Sequence, residues 1–187
     1  MLFLSKNFTL GEFTYSETAN KYGVLNEPTA THLNTLQHTC LYCLEILRDL
    51  LNKKFAGNIY NNKKVLKAII NITSGYRSKE VNQLLKKQGY KPSETSQHCT
   101  GEAADIEVVL ISEDGTKNAL PYNETYELIK YWVKITGELS VDQCIKEKQG
   151  KDTWVHISHS AWGRTKDRRQ FLIFDGKNYI LDKNFQS

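Results

Sequence analysis

The residues whose types and spacing could do chemistry fall in two places. One is the segment Ser96-Gln97-His98-Cys99-Thr100-Gly101-Glu102-Ala103-Ala104-Asp105; the other is the later pattern Trp154-Val155-His156-Ile157-Ser158. His98 and Asp105 lie seven apart at a loop-to-strand junction. Gly101 allows a tight backbone turn, and the small Ala103 and Ala104 allow close approach. Asp105 opens a half-buried strand, where a carboxylate is costly unless something neutralises it. A metal ion would do so. His156 sits inside an alternating strand, with Val155 and Ile157 on the opposite face. Three ligands of His, Asp and His type, with a fourth position for water, are the form of a catalytic zinc site; structural sites are closed by four protein ligands. The plainer readings are an Asp–His hydrogen bond at a strand start and a satisfied core histidine at 156.

Positioning these groups takes a scaffold, and the periodicity supplies one. Leu33, Leu36, Cys40, Cys43, Leu47 and Leu50 alternate three and four apart, which predicts a helix from about Thr31 to Leu51. Gly57 to Lys64 is polar and Asn-rich, a loop or hairpin, and Val65 to Thr73 is β-branched and reads as a strand. Ser78 can cap a short helix carrying Val81, Leu84 and Leu85. Ala103 to Ile111 reads as a second strand, followed by an Asp114-Gly115 turn. Asn123 can cap a helix that Gly137 stops. Val141 to Lys146 and Trp154 to Ser158 form a hairpin pattern, and Phe171 to Phe174 with Tyr179 to Leu181 form another around Asp175-Gly176. Late strands joined by short turns favour an α+β fold, with a mainly antiparallel sheet packed with helices.

Composition bounds the class. The 187 residues suit one domain. Forty per cent apolar and 25% charged residues argue against wholesale disorder. The formal charge of +4 permits contact with an anionic polymer but does not signal nucleic acid. No apolar run is long enough for a membrane span. The apolar start, Met1-Leu2-Phe3-Leu4, is too short for a signal peptide, so synthesis in the cytosol is expected. Cys40 and Cys43 could be half a zinc site with His32 or His38, but both fall in register with the leucine stripe and read as apolar filler. Cys99 and Cys144 read as small buried thiols. His159 reads as surface, and the basic run from Arg164 to Arg169 as a solvated face that could also meet an anionic polymer.

The ordered motifs resemble the zinc D-Ala-D-Ala carboxypeptidase and endolysin family, peptidase M15, most closely its phage-associated branch. Its elements here are S-x-H-x-x-G-x-A-x-D at 96–105 and W-x-H at 154–156. Ser74-Gly75-Tyr76-Arg77-Ser78 with Val81-Asn82 resembles its S-G-Y-R-S element, and Asp142-Gln143 with Glu147 its D-Q-x-x-x-E strand. Asn7-Phe8-Thr9-Leu10 with Glu12, Ser16 to Ala19, and Asn26-x-Pro28 resemble its N-terminal segment. The likeness covers about residues 7–158 of a single domain spanning 1–187, and leaves 159–187 as an extension.

The resemblance implies a hedgehog/DD-peptidase-like fold. It implies a zinc metallopeptidase acting on peptidoglycan stem peptides, as a carboxypeptidase or an endolysin-type endopeptidase. His98, Asp105 and His156 would hold zinc, Arg77 would bind the substrate's carboxylate or carbonyl and stabilise the oxyanion, and Ser96 would contact the peptide. Many members carry an acid or His two or three positions before the last ligand; Trp154 and Thr153 stand there in this chain. A Glu at the end of the preceding strand, as in the related hedgehog-type arrangement, points to Glu147 as the base, with Asp152 as runner-up. A monomer is expected, reaching the wall after host lysis or on a virion. The competing readings are a non-catalytic wall-binding or virion-structural module and a zinc hydrolase of a non-wall amide.

Overall fold

The computed structural model describes residues 2–90, 93, 95–160 and 166–183. The chain opens with two short helices, α1 (Leu10–Thr14) and α2 (Glu17–Tyr22). Thr9 and Glu12 close a capping box on α1, satisfying amides that would otherwise lack partners. The long helix of the leucine stripe is present as α3 (Ala30–Thr39) and α4 (Glu45–Phe55). A π-helical segment, Cys40–Leu44, joins them. Leu36, Cys40, Cys43, Leu44, Leu47 and Leu51 are buried along this helix, so both cysteines are core filler.

Strand β1 (Ile59–Tyr60) pairs with the long β2 (Lys63–Ser74) through Asn61 and Asn62, both with positive φ, as this tight turn requires. Helix α5 (Lys79–Lys87) follows, capped by the Ser78 side chain as expected. A single 3₁₀ turn, Gln97–Thr100, leads into β3 (Ala103–Ser112), and β4 (Lys117–Ala119) folds back on it. Helix α6 (Tyr122–Tyr131) starts two residues earlier than the sequence suggests. Pro121 occupies the cap position with extended backbone, its carbonyl taking the Thr125 amide at 2.9 Å, and Asn123 lies inside the first turn. A π-helical segment, Trp132–Thr136, ends at Gly137, whose left-handed φ of 70° is the expected stop. The predicted hairpins are β5 (Gln143–Gln149) with β6 (Asp152–Ser158), and β7 (Gln170–Phe174) with β8 (Tyr179–Leu181).

Among the described residues these strands form one eight-stranded sheet in the order β1-β2-β3-β6-β5-β7-β8, with β4 beside β3. All pairs are antiparallel except β5 with β7. The fold is therefore α+β with a mainly antiparallel sheet. The segment set apart in sequence as an extension supplies β7 and β8.

The two faces of the sheet differ. Ala104, Ile106 and Val108 of β3, Val155 and Ile157 of β6, Cys144 of β5 and Phe171 of β7 point into the core against α4 and α6. Asp105, His156, Ile145, Leu172 and Leu181 are matched across β3, β6, β5, β7 and β8 and share the other face. Among the described residues no helix is long and apolar enough to cross a membrane.

Candidate metal centre

Two neighbouring strands and one turn bring the three candidate ligands together. Asp105 of β3 is the direct cross-strand partner of His156 of β6, so their side chains stand side by side on the sheet face opposite the core. His98 comes from the 3₁₀ turn that leads into β3. His98 Nε2 lies 3.1 Å from His156 Nδ1 and 3.3 Å from Asp105 Oδ1, and His156 Nδ1 lies 3.0 Å from the same carboxylate oxygen. All three residues are buried, and among the described residues they are the group of His, Cys, Asp or Glu whose ligand atoms lie within 4.8 Å of one another.

The donor set fits a zinc ion. The His98 Nδ1–H donates to the Gly75 carbonyl at 2.7 Å, which leaves a lone pair on Nε2 facing the cluster. Burial pushes the His98 pKa down, against the pull of Asp105, so the imidazole is neutral and able to ligate. Burial also works against charge on Asp105. The two imidazoles beside it, His98 and His156, outweigh that penalty and hold the carboxyl well below the ordinary carboxylate range. Two imidazole nitrogens and an ionised carboxylate oxygen converging at this spacing are what zinc takes from a catalytic site.

The Ser74–Ser78 element positions the turn and places Arg77. Gly75 packs so closely on α1 that an added Cβ would lie 2.6 Å from both the Phe13 Cα and its carbonyl oxygen. The Tyr76 amide donates to that same carbonyl at 2.7 Å, and the Arg77 amide donates to the His98 carbonyl at 3.1 Å. Asn26 ties the element to the N-terminal segment: its side-chain amide donates to the Tyr76 and Thr14 carbonyls, and its oxygen accepts from the Ser78 amide. Gly101 ends the ligand-bearing turn at φ 80°, and an added Cβ there would lie 2.8 Å from the His32 carbonyl oxygen. Arg77 Nη2 lies 3.8 Å from Asp105 Oδ2 and donates to Ser74 Oγ at 3.2 Å.

Glu147 of β5 lies opposite Trp154 of β6, two residues from the His156 row and on its face. It is only 8% exposed. Burial, reinforced by the Asp105 carboxylate and partly offset by His156 and Arg77, pushes its carboxyl up to about 7. Asp152 is exposed at the far end of β6, four residues from His156. Ser96 is half-buried just before the 3₁₀ turn and does not cap it with its side chain.

Asp142, read in sequence as a hydrogen-bonding rather than a catalytic residue, has that role, while its partners went unread. Buried Asp142 accepts from the Gln97 side chain at 2.8 Å and from Arg168, whose Nη2 approaches to 2.5 Å, which links the turn bearing His98 to the C-terminal segment. Arg168 and Arg169 are exposed, as a solvated basic face requires, and each is also bonded to the fold, Arg169 donating to the Val133 carbonyl; Arg164 lies outside the described residues. His159 is not a surface residue. Its ring stacks on His38 at 5.0 Å between centroids, and its Nδ1 pairs with Asp167 at 2.8 Å, because β6 has ended and the chain turns inward. Motif spacing carried no sign of these contacts, which form between segments far apart in sequence.

The α+β fold thus carries a buried His-Asp-His cluster that could hold a metal ion, with an arginine and a buried glutamate beside it. A family model described as Peptidase M15 matches residues 6–132, and the chain belongs to that family of zinc-dependent peptidases. The match includes Arg77, His98 and Asp105 and stops before the strands that carry Glu147 and His156. Comparison with the curated proteins and with the solved structures gives no significant match.

Proposed function

We propose that the protein hydrolyses a peptide bond in the stem peptides of bacterial peptidoglycan, with His98, Asp105 and His156 holding zinc. The observation that carries this reading is the convergence of those three side chains in a peptidase M15 chain, with Arg77 beside Asp105 and Glu147 on the sheet face of His156. Zinc bound there supplies Lewis acidity and makes water acidic enough to react near neutral pH. Glu147 takes a proton from the attacking water as the new C–O bond forms, and returns it to the leaving nitrogen as the C–N bond breaks. Its raised pKa suits both halves of that exchange. Arg77 faces the same cluster with a fixed positive fork, which matches a substrate carboxylate or the charge developing on the carbonyl oxygen. Ser96, beside the His98 turn, contacts the peptide. Asp152 is too exposed and too far along the strand to serve as the base: four residues of extended chain span about 13 Å.

The test uses zinc-loaded protein and purified peptidoglycan. The expected result is release of new amino termini or D-Ala, which also separates internal cleavage from removal of the terminal residue. A folded, zinc-loaded sample that releases neither, beside an active lytic control, would overturn the reading and leave a wall-binding or virion-structural module. Replacing His98 by Ala is expected to drop bound zinc from about one equivalent to a small fraction, because two protein ligands hold it poorly. A full equivalent by metal analysis would remove His98 from the site. Endolysin-type action from a phage or prophage-like source, after cytosolic synthesis, belongs to the same proposal.

A further inference from the structure

The C-terminal hairpin places an aromatic surface beside Glu147. In the parallel pairing of β5 with β7, Ile145 matches Leu172 and Lys146 matches Ile173, which sets Phe174 next to Glu147 on the same face. Phe174 is in turn the direct partner of Tyr179 on β8, with ring centroids 4.7 Å apart. Trp154 flanks Glu147 from the other side, on β6. Ile145 and Leu172 are buried between the ligand row and the hairpin, while Tyr179 is 54% and Leu181 49% exposed. An apolar floor and aromatic rings thus continue the ligand face towards the sheet edge, on the opposite side of the cluster from Arg77. The Tyr179 hydroxyl is close enough to feel the site: burial first, then the Glu147 and Asp105 carboxylates, push it up to about 12.

Tyr179 is the exposed ring of the three, and Phe174 and Trp154 lie half-buried, so that together they offer a contiguous aromatic face beside Glu147. We infer that Phe174 and Tyr179, with Trp154, form the subsite for an apolar side chain of the substrate residue next to the scissile bond, on the side of Glu147 away from Arg77. A peptide lying along the strand order then meets charge at one end, the metal donors at its centre and aromatic carbon at the other end. The inference rests on the proposed peptidase reading for the identity of its ligand, and it assigns a specificity role to a hairpin outside the matched span of the family.

Binding and turnover separate the two ideas. A synthetic stem pentapeptide ending in D-Ala-D-Ala is titrated calorimetrically into zinc-loaded E147Q and into zinc-loaded E147Q carrying Y179A or Y179F. The wall predicts a Kd about tenfold weaker for Y179A, the scale of losing one aromatic contact, with Y179F near the parent, since the ring and not the hydroxyl binds. Zinc content and melting temperature stay unchanged, because Tyr179 is largely exposed. Equal affinity for all three proteins overturns the wall, as does no binding at all; equal losses in Y179A and Y179F assign the contact to the hydroxyl and overturn the apolar subsite. Failure of the peptidase reading shows separately, as absence of turnover by the unsubstituted enzyme whatever the binding result.

Discussion

Glu147 is the residue where environment and role are most closely tied. A carboxyl raised to about 7 by burial holds its proton more tightly in the folded protein than in the unfolded chain. Its contribution therefore favours folding at low pH and is lost as pH rises from about 4.5 through 7. At pH 8, without metal, ionised Glu147 is a cost that glutamine does not carry. Metal-free E147Q is expected to exceed the metal-free parent in stability by up to about 3 kcal/mol at pH 8, with the gap closing towards pH 4. Urea unfolding across that range measures it, and the lowered His98 pKa cancels in the difference because both proteins share it. A gap that does not change with pH would mean the carboxylate is not desolvated. With zinc bound, the same substitution is expected to cut hydrolysis by roughly 10² to 10⁴-fold without loss of metal, the usual scale for removing a general base.

The elements behind the site work by close approach. Gly75 lets β2 turn away over α1, and its carbonyl then fixes the His98 ring through Nδ1. G75A would drive a methyl group into the Phe13 backbone, which cannot give way as a flexible side chain would. The expected cost is about 1–3 kcal/mol, read as a lower melting temperature, together with weaker zinc affinity because the His98 ring loses its orientation. Unaltered stability and zinc affinity would show that α1 is free to move.

Much at this scale is legible in sequence, and the limits are physical. The leucine stripe, the Ser78 cap, the Gly137 stop and the hairpin turns are local signals, and local propensity decided them. That Asp105 and His156 meet is anticipated from their ligand chemistry and the family resemblance, but their direct pairing across β3 and β6 is not. The parallel docking of β7 on β5, the Arg168–Asp142–Gln97 chain and the stacking of His159 on His38 depend on which distant segments meet, and no periodicity encodes that. Asn123 misled because a good capping residue competes with a proline whose fixed φ already starts the turn two residues sooner.

At the scale of the whole molecule, the C-terminal segment is fastened and not merely appended. Lys130 of α6 and Asp182, just past β8, pair at 2.6 Å with side chains only 3% and 4% exposed, and the Tyr126 hydroxyl donates to the same carboxylate at 3.0 Å. Breaking such a buried pair takes away the nearest counter-charge of a buried ammonium, beside which Glu127 stands at 3.8 Å. D182N is expected to cost about 3 kcal/mol and to lower the melting temperature by roughly 10 °C in one transition. A separate early transition confined to the tail would contradict this.

The strand order carries a kinetic consequence. β6 is made after β5 yet inserts between β5 and β3, so the sheet cannot close until the β5–β6 hairpin docks against a strand begun some fifty residues earlier. Contacts of this range make folding slow, because the chain gives up loop entropy before the pairing rewards it. During synthesis, His98 and Asp105 emerge long before His156, and a growing chain holds only two of the three donors. Metal capture thus becomes a late event, timed by the arrival of β6, and zinc uptake by a refolding chain should lag behind the collapse of the α3–α4 helix onto β2 and β3.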